Sequence, residues 1–292
     1  MRWRRYPNPE DGIAHWHVEK NGVWRVASAA EVATLAWLPE PVSDPLLPFQ
    51  PRSFRDCSLY EQHWIQSSRG YARRFMPAAS VFTSVYERVL RRPFPAFKPH
   101  PLAYAQPLYY LGNHLNFQAS GAPMQAPRYT QVLDYELELG AVLARPLHNA
   151  SPEEALAAIG GFVLINDWSA RDVQRAEMAT GLGPQKCKHF ASSMSREIAD
   201  AADVLPRINE LEASIHINGQ CVARTRVAGM LHDWGRTLSF LSTDEPLWPG
   251  ELIASGTLPF GTALENGHWL HPGDELHMRM PGVGEIRHTL TR

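Results

Sequence analysis

The stretch Val132-Leu-Asp-Tyr-Glu-Leu-Glu-Leu-Gly140 alternates apolar and acidic side chains. A period of two is the period of a strand, so the pattern predicts one strand over 131–144. Leu133, Tyr135, Leu137 and Leu139 share one face; Asp134, Glu136 and Glu138 share the other. Carboxylates two positions apart on a strand lie about 6.6 Å from each other. At an effective dielectric of about 20, each like-charge pair then costs about 2.5 kcal/mol. The apolar reverse face says that the strand is packed, so water does not simply remove this cost. A bound divalent cation would, and carboxylate oxygens are the ligands that magnesium, calcium and manganese prefer. The other reading is a solvated strand face with lysine or arginine neighbours, and the strand alone leaves both open.

Working outward, Ser151-Pro-Glu-Glu154 puts Ser at an N-cap, Pro at the first helical position and Glu at the third. This predicts a helix, which Gly160-Gly161 ends. Phe162–Ile165 reads as a buried strand and Ser169–Met178 as a second helix with a Ser cap. From Glu212 onward the chain reads as mostly strand. Asn218-Gly219 marks a hairpin within 213–222, and the Pro249-Gly250 and Pro272-Gly273 turns each feed a strand. Upstream, Ser58–Gln66 looks helical, and residues 93–130 are proline-punctuated with short extended pieces.

The first fifty residues read apart from the rest. His15–Val26 is two alternating runs around Asn21-Gly22, a hairpin with a type I′ turn, and Ala29–Leu35 is a short helix. Five prolines between Pro39 and Pro51 predict a linker. The organisation expected is a small N-terminal appendage over 1–50 and a catalytic unit over 51–292, with an α+β, mostly β fold.

The chain has 292 residues, 44% hydrophobic and 20% charged, so it can bury a sizeable core without disulfides. Lys plus Arg is 28 and Asp plus Glu is 30, a formal net charge of -2, which argues against a nucleic-acid partner. Cys57, Cys187 and Cys221 are too scattered for a disulfide framework or a zinc site and fit reduced thiols in a cytoplasmic protein. The basic start Met1-Arg-Trp-Arg-Arg-Tyr-Pro7 runs into Asn8-Pro-Glu-Asp11, not into an apolar stretch, so no signal peptide is expected. No apolar run approaches the roughly 18 residues of a membrane span.

Several other side chains can carry chemistry. Asp167 ends the Phe162–Ile165 strand just before a helix; on its own, an Asx turn or cap is the plainer reading. Arg171 and Gln174 follow at i, i+3 and can both donate towards whatever sits at Asp167. Lys188 can offset several carboxylates or stabilise an oxyanion, although a lone lysine is usually a surface one. His63 lies seven residues after Asp56, which on a helix brings both to one side. Histidine is the commonest general base near neutral pH, though one of 13 is more often structural. Glu265, in Gly261-Thr-Ala-Leu-Glu265, reads as a strand-end carboxylate. His15 and His17 read as hairpin surface, and Arg69-Gly-Tyr-Ala-Arg-Arg74 as a solvated patch.

Taken together, Asp134-Tyr-Glu-Leu-Glu138, Asn166-Asp-Trp-Ser-Ala-Arg-Asp-Val-Gln174, Gly181-Leu-Gly-Pro184 with Lys188-His-Phe190, Pro249-Gly-Glu-Leu-Ile-Ala-Ser-Gly-Thr257 and Pro272-Gly-Asp-Glu-Leu276 resemble the fumarylacetoacetate hydrolase family. The likeness runs from about Phe54 to the C-terminus and is nearest the fumarylacetoacetase and bacterial heptadienedioate-isomerase branches. It implies a mixed β-roll or β-sandwich with short helices, a homodimer, and magnesium, or else calcium or manganese, held on carboxylates. By resemblance Glu136, Glu138 and Asp167 are metal ligands, and Asp56 matches a fourth. His63 matches the catalytic histidine. Lys188, Arg171 and Gln174 match oxyanion and substrate groups, and Tyr110 and Thr257 match further substrate contacts. Gln66 stands where the acylpyruvase branch has the glutamate partner of its histidine, so the partner implied here is the distant Glu265. The spacing from Asp167 leaves Lys186 as an alternative to Lys188.

The reaction implied is metal-dependent hydrolysis of a carbon–carbon bond in a β-dicarbonyl acid, an acylacetoacetate or acylpyruvate. Isomerisation or decarboxylation of a 2-hydroxy-dienedioate on the same site is the alternative. A metal-stabilised binding protein without catalysis is a third reading, opposed by the presence of both His63 and Glu265.

Overall fold

The computed structural model describes residues 1–9, 12–42 and 44–291. Glu10, Asp11, Ser43 and Arg292 lie outside the described residues, and with them the acidic pair after Pro9, one position of the proline-rich stretch and the last position of the 51–292 unit. The chain begins with β1 (Arg2–Pro7), β2 (Ala14–Lys20) and β3 (Val23–Val26). β2 and β3 form the expected hairpin, with Asn21 and Gly22 both at positive φ as a type I′ turn requires. α1 (Ala29–Ala33) starts from a complete capping box between Ser28 and Glu31. No local pattern marks β1 for pairing with a strand some 200 residues away, yet it pairs with one, placing the hairpin on the edge of the main sheet. The Pro39–Pro51 stretch is likewise packed, with Leu47 and Phe49 fully buried against Trp3, Phe54 and Val163.

β4 (Phe54–Cys57) follows, then α2 (Glu61–Phe75) and α3 (Pro77–Leu90). Asp56 and His63 therefore do not share a helix: Asp56 is on a strand, and the irregular segment 58–60 separates it from α2. α4 (Leu102–Ala105), β5 (Tyr109–Gly112) and β6 (Phe117–Ala119) lead to the acidic stretch. There the single predicted strand is two, β7 (Leu133–Asp134) and β8 (Leu137–Leu143). The break comes where Glu136 leaves the ladder to bridge Thr262.

α5 (Pro152–Ala157) has the Ser151–Glu154 capping box read from the sequence. It ends before the glycines, however, and Gly160-Gly161 lie inside β9 (Ile159–Asp167). They are needed there for space: a Cβ on Gly160 would come 2.6 Å from Ala144 Cβ and from the Trp37 ring. Ser169 is not a helix cap but part of β10 (Ser169–Ala170), its hydroxyl donating to Asp167 O, and α6 (Arg171–Ala179) begins after it. α7 (Lys186–His189), β11 (Ser192–Met194), β12 (Glu197–Asp200) and α8 (Ala201–Val204) complete this part.

The remainder is the expected strand-rich region: β13 (Glu212–Ile217) and β14 (Gln220–Arg226) joined at Asn218-Gly219, α9 (Trp234–Leu241), β15 (Leu252–Ala254), α10 (Ala263–Asn266), β16 (Glu275–Met280) and β17 (Gly284–Thr289). The helix α9 was not anticipated. Among the described residues the fold is an eleven-stranded mixed sheet, with the path β3-β2-β1-β12-β9-β8-β15-β4-β5 and β11 and β6 branching from β9. A four-stranded sheet, β14-β13-β16-β17, packs nearby. The central strands are covered on both faces, which is why β9 reads as a continuous apolar run. Phe162 and Leu164 enter one core, and Val163 and Ile165 the other. No helix among the described residues is long and apolar enough to cross a membrane.

Candidate active site

The adjacency of β9, β8, β15 and β4 brings together acids that are far apart in sequence. β15 lies between β8 and β4, with Ala254 opposite both Gly140 and Asp56. Tyr110 on β5 is directly opposite Asp56. Asp167 ends β9 opposite Ser192 of β11. Asp56, Glu136, Glu138 and Asp167 are all buried, at no more than 4% exposure.

Their partners differ. Asp167 Oδ2 accepts from Lys188 Nζ and Tyr110 Oη, each at 2.6 Å, and Oδ1 accepts from Ser192 Oγ at 3.1 Å. Glu136 Oε1 accepts from Arg171 at 2.6 Å, and Oε2 accepts from Lys188. Glu138 receives only the Thr257 hydroxyl, at 3.3 Å. Asp56 Oδ1 and Glu138 Oε2 are sealed from solvent and have no hydrogen-bond partner among the described residues. A buried acceptor without a partner costs about 1–3 kcal/mol.

The electrostatics follow this inequality. Burial, and then the charge of Asp167, push the Asp56 carboxyl well above the usual carboxylate range. Burial and then Asp56 do the same to Glu138. Glu136 is also pushed up by burial, but Lys188 and Arg171 outweigh it and hold it at about 2. Lys188 loses stability as an ammonium through burial and more than regains it from Asp167 and Glu136, so it stays protonated. Two buried cations thus face four acids, and Arg171 is also bonded to Asp134. The acids of the cluster outnumber its cations. The described residues contain no ready group of three His, Cys, Asp or Glu side chains that could hold a metal ion; the ammonium of Lys188 stands between Glu136 and Asp167.

Across the cavity from the acids, His63 Nδ1 is 2.5 Å from Glu265 Oε1. Glu265 belongs to the short helix α10, not to a strand end, and its side chain is fully buried. Thr262-Ala-Leu-Glu265 has the spacing of a capping box. Thr262 does cap, accepting from Leu264 N, but Glu265 turns instead to His63 and to the Phe260 N–H. Burial raises the Glu265 carboxyl, an effect that His63 opposes. The contact depends on Gly70: a Cβ there would stand 1.6 Å from Leu264 O, so α2 can lie against α10 only with glycine at this position.

The residues singled out from the sequence converge as one site. Asp56, His63, Tyr110, Glu136, Glu138, Arg171, Gln174, Lys188 and Thr257 line one cavity of about 800 Å³. Asp167 and Glu265 stand behind it, bonded to Lys188 and His63 respectively. Gln174 is oriented by Arg171, whose guanidinium donates to Gln174 Oε1 at 2.9 Å. Lys186 is exposed over the Tyr129 ring, so the buried lysine is Lys188. Sequence reasoning missed Ser192, which holds Asp167, and Asn166, whose Oδ1 accepts from Glu136 N. Ser192 carried no signal, whereas an Asn beside the strand-end Asp167 could have been questioned as a buried polar group. Missed as well was the aromatic wall formed by Trp64, Phe94 and Phe97. The Arg69–Arg74 patch is engaged rather than free: Arg69 pairs with Glu87, Arg73 donates to Glu265 O and Arg74 covers the Trp269 ring.

Comparison with known proteins bears on the family and the fold. Residues 83–291 match the family model described as fumarylacetoacetate (FAA) hydrolase, C-terminal. The mitochondrial oxaloacetate tautomerase of Pongo abelii is 28% identical over 184 residues, covering 63% of this chain and 80% of that protein. The 5-carboxymethyl-2-hydroxymuconate delta-isomerase from Mycobacterium smegmatis has a TM-score of 0.67 at 22% identity, covering 100% of this chain and 99% of that one. The fumarylpyruvate hydrolase from Pseudomonas aeruginosa, solved in complex with Mn2+ and pyruvate, has a TM-score of 0.62 at 19% identity, covering 86% and 96%. At these identities the two solved structures speak for the fold alone.

Proposed function

The chain belongs to the fumarylacetoacetate hydrolase family, and from that premise we propose that it hydrolyses a carbon–carbon bond in a β-dicarbonyl acid of the acylpyruvate or acylacetoacetate type, with a divalent cation. The observation that carries the reading is the His63–Glu265 pair at 2.5 Å, set in the wall of the cavity that holds the carboxylates. Hydrolysis needs a base to activate water, and this pair has the form of one.

The residues fit a cation. Glu136, Glu138 and Asp167 would hold it, with Asp56 at or near the shell. Their oxygens are hard donors, two of the cluster's oxygens lack partners among the described residues, and the crowding of acids raises the Glu138 carboxyl, a penalty that a cation would remove. Magnesium is the first choice, with manganese and calcium next. When bound, such an ion orients the dicarbonyl and withdraws charge from it as a Lewis acid.

The chain's own groups supply the rest. With Nδ1 committed to Glu265, His63 has Nε2 free to take a proton from water. The water oxygen bonds to the acyl carbonyl carbon as the carbonyl π pair moves onto the carbonyl oxygen, and the donors Lys188, Arg171 and Gln174 face that oxyanion. The bond between the acyl carbon and the neighbouring carbon then breaks. Its electron pair stays on that neighbouring carbon, which recovers a proton from the His63 imidazolium, leaving a carboxylic acid and a 2-oxo acid from an acylpyruvate, or a 3-oxo acid from an acylacetoacetate. Glu265 keeps the imidazole in one orientation and stabilises its charged form. Tyr110 and Thr257 hold Asp167 and Glu138 in place.

Tautomerisation is the second reading. It is favoured by the likeness to an oxaloacetate tautomerase and needs only the same proton shuttle. Incubation with acetylpyruvate, with oxaloacetate and with a 2-hydroxy-dienedioate, followed by product mass for cleavage and by the ultraviolet absorbance of the enol for tautomerisation, separates the readings. Release of acetate and pyruvate supports hydrolysis; enol–keto exchange without cleavage overturns it in favour of the tautomerase.

The proposal extends to a cytoplasmic homodimer. Val81, Phe82, Val85 and Val89 form an exposed apolar stripe on α3 that a second copy would cover. A monomer by light scattering at micromolar concentration would contradict this.

A further inference from the structure

The cavity continues well beyond the reacting groups. α2 lines it from His63 and Trp64 to Tyr71 and Ala72. The eight-residue step from His63 to Tyr71 spans about 12 Å of helix. The outer wall is apolar, made by Met76, Phe94, Phe97 and Met178 with Trp64 and Tyr71. Phe94 is braced edge-on by Tyr86 at 5.1 Å and Phe97 at 5.4 Å, so the wall is built and not a loose surface. The cations at the inner end, Lys188 and Arg171, are already bonded to Glu136, Asp167 and Asp134. The other arginine of the lining, Arg175, is exposed. Trp64 Nε1 and Tyr71 Oη are sealed from solvent with no partner among the described residues. These are neutral donors, suited to a carbonyl or ether oxygen on an otherwise apolar group.

We propose that the substrate's acyl arm is large and apolar, an aryl or medium-chain alkyl group lying along α2, and that the wall between α2 and α3 selects it against a second carboxylate. The inference rests on the β-dicarbonyl reading for the head of the molecule and adds the arm. A small acyl group such as acetyl would leave most of the 800 Å³ unfilled. A fumaryl arm would place its distal carboxylate among aromatic rings, with the solvent-exposed Arg175 near Tyr71 as the one cation at that end among the described lining residues, at a cost in desolvation.

The test uses two series with the Mg2+-loaded protein. In the first, kcat/KM is measured for acetyl-, butanoyl-, hexanoyl-, benzoyl- and fumarylpyruvate by pyruvate release. In the second, calorimetry measures binding of saturated 2-oxo acids of increasing length, which have no second carbonyl and cannot be cleaved. The expected result is a gain of about 2- to 4-fold per methylene in both series, with benzoylpyruvate ahead of fumarylpyruvate by at least about tenfold. Cleavage with no dependence on arm length, or with fumarylpyruvate best, overturns the inference and leaves the reaction intact. Length-dependent binding without cleavage upholds the arm and overturns the reaction. No cleavage and no length dependence overturns both. Ala79→Phe, which fills the outer wall, should collapse the hexanoyl-to-acetyl ratio by at least about tenfold; an unchanged ratio would mean that the arm does not lie there.

Discussion

Asp134 and Glu138 are four residues apart and both fully buried, but their surroundings are opposite. Asp134 Oδ1 accepts from the N–H groups of Tyr135 and Ala263, each at 2.8 Å. Its Oδ2 accepts from Arg171 Nε at 2.7 Å, from Leu264 N at 3.2 Å and from the Thr262 hydroxyl. Every lone pair has a use, and the carboxylate ties β7, α6 and α10 together. Glu138 has one long contact with Thr257 and a bare second oxygen. A buried acid whose bonds are all made inside the fold is part of the framework. A buried acid left wanting, and held above the usual carboxylate range by burial and by Asp56, is kept for something that arrives from outside.

The largest effect expected is on the reaction side of this contrast. His63→Ala should lower kcat by about 10²- to 10⁴-fold with the cation still bound. Glu265→Gln should produce a similar loss, and the double variant should be little worse than either single, because groups acting as one unit are not additive. Steady-state kinetics on the three proteins checks this. Losses that multiply would mean independent roles.

On the framework side, Asp134→Ala removes one of the two acids paired with the buried Arg171 and leaves the Tyr135, Ala263 and Leu264 N–H groups without their acceptor, and should destabilise the fold by about 3–5 kcal/mol in denaturant titrations. Glu138→Ala, measured in chelator, should not destabilise it. If both variants fall alike, the contrast between the two acids fails.

Gly70→Ala tests the link between the two regions. The new methyl would meet Leu264 O, so α2 must move away from α10 and carry His63 off Glu265. A displacement of this kind costs on the order of 10²-fold in kcat. A smaller loss of stability should accompany it, and cation binding should be retained.

The smallest effect concerns pH. The Glu138 and Asp56 carboxyls are raised in the fold, so their contribution to stability is fully present below the unfolded value of about 4. It is lost as pH rises through the raised folded values. In chelator, the Tm of the wild type should therefore be lower at pH 8 than at pH 5, and Glu138→Ala should narrow the difference. Glu136, held at about 2, acts in the opposite sense and only below its unfolded value, outside this window. A Tm that rises from pH 5 to pH 8 equally in both proteins would contradict the assignment.

Local chemistry made much of this legible. The Asn-Gly turns, the Ser151–Glu154 box and the apolar run of β9 each encode their element within a few residues, and the structure has all three. The acidic stretch was legible as a buried, charged strand, but not as two strands. Its break is made by Thr262, more than a hundred residues away, which bridges Glu136 and bonds Asp134. For the same reason, alternation alone could not separate Asp134 from Glu138. Asp56 and His63 line one cavity, but their seven-residue spacing does not put them on one helix, since it says nothing of the irregular segment 58–60 between them. The pairing of β1 with β12 and the closeness of α2 to α10 at Gly70 are tertiary facts with no local mark.

The central claim is that the partnerless carboxylates hold a divalent cation on which turnover depends. Equilibrium dialysis against Mn2+ followed by elemental analysis tests it most directly, on wild type, Glu138→Ala and Asp134→Asn, each first checked by circular dichroism to be folded. The account predicts one cation per chain in the wild type and in Asp134→Asn, and neither cation nor turnover in Glu138→Ala. A Glu138→Ala protein that keeps the wild-type cation content and activity would contradict it.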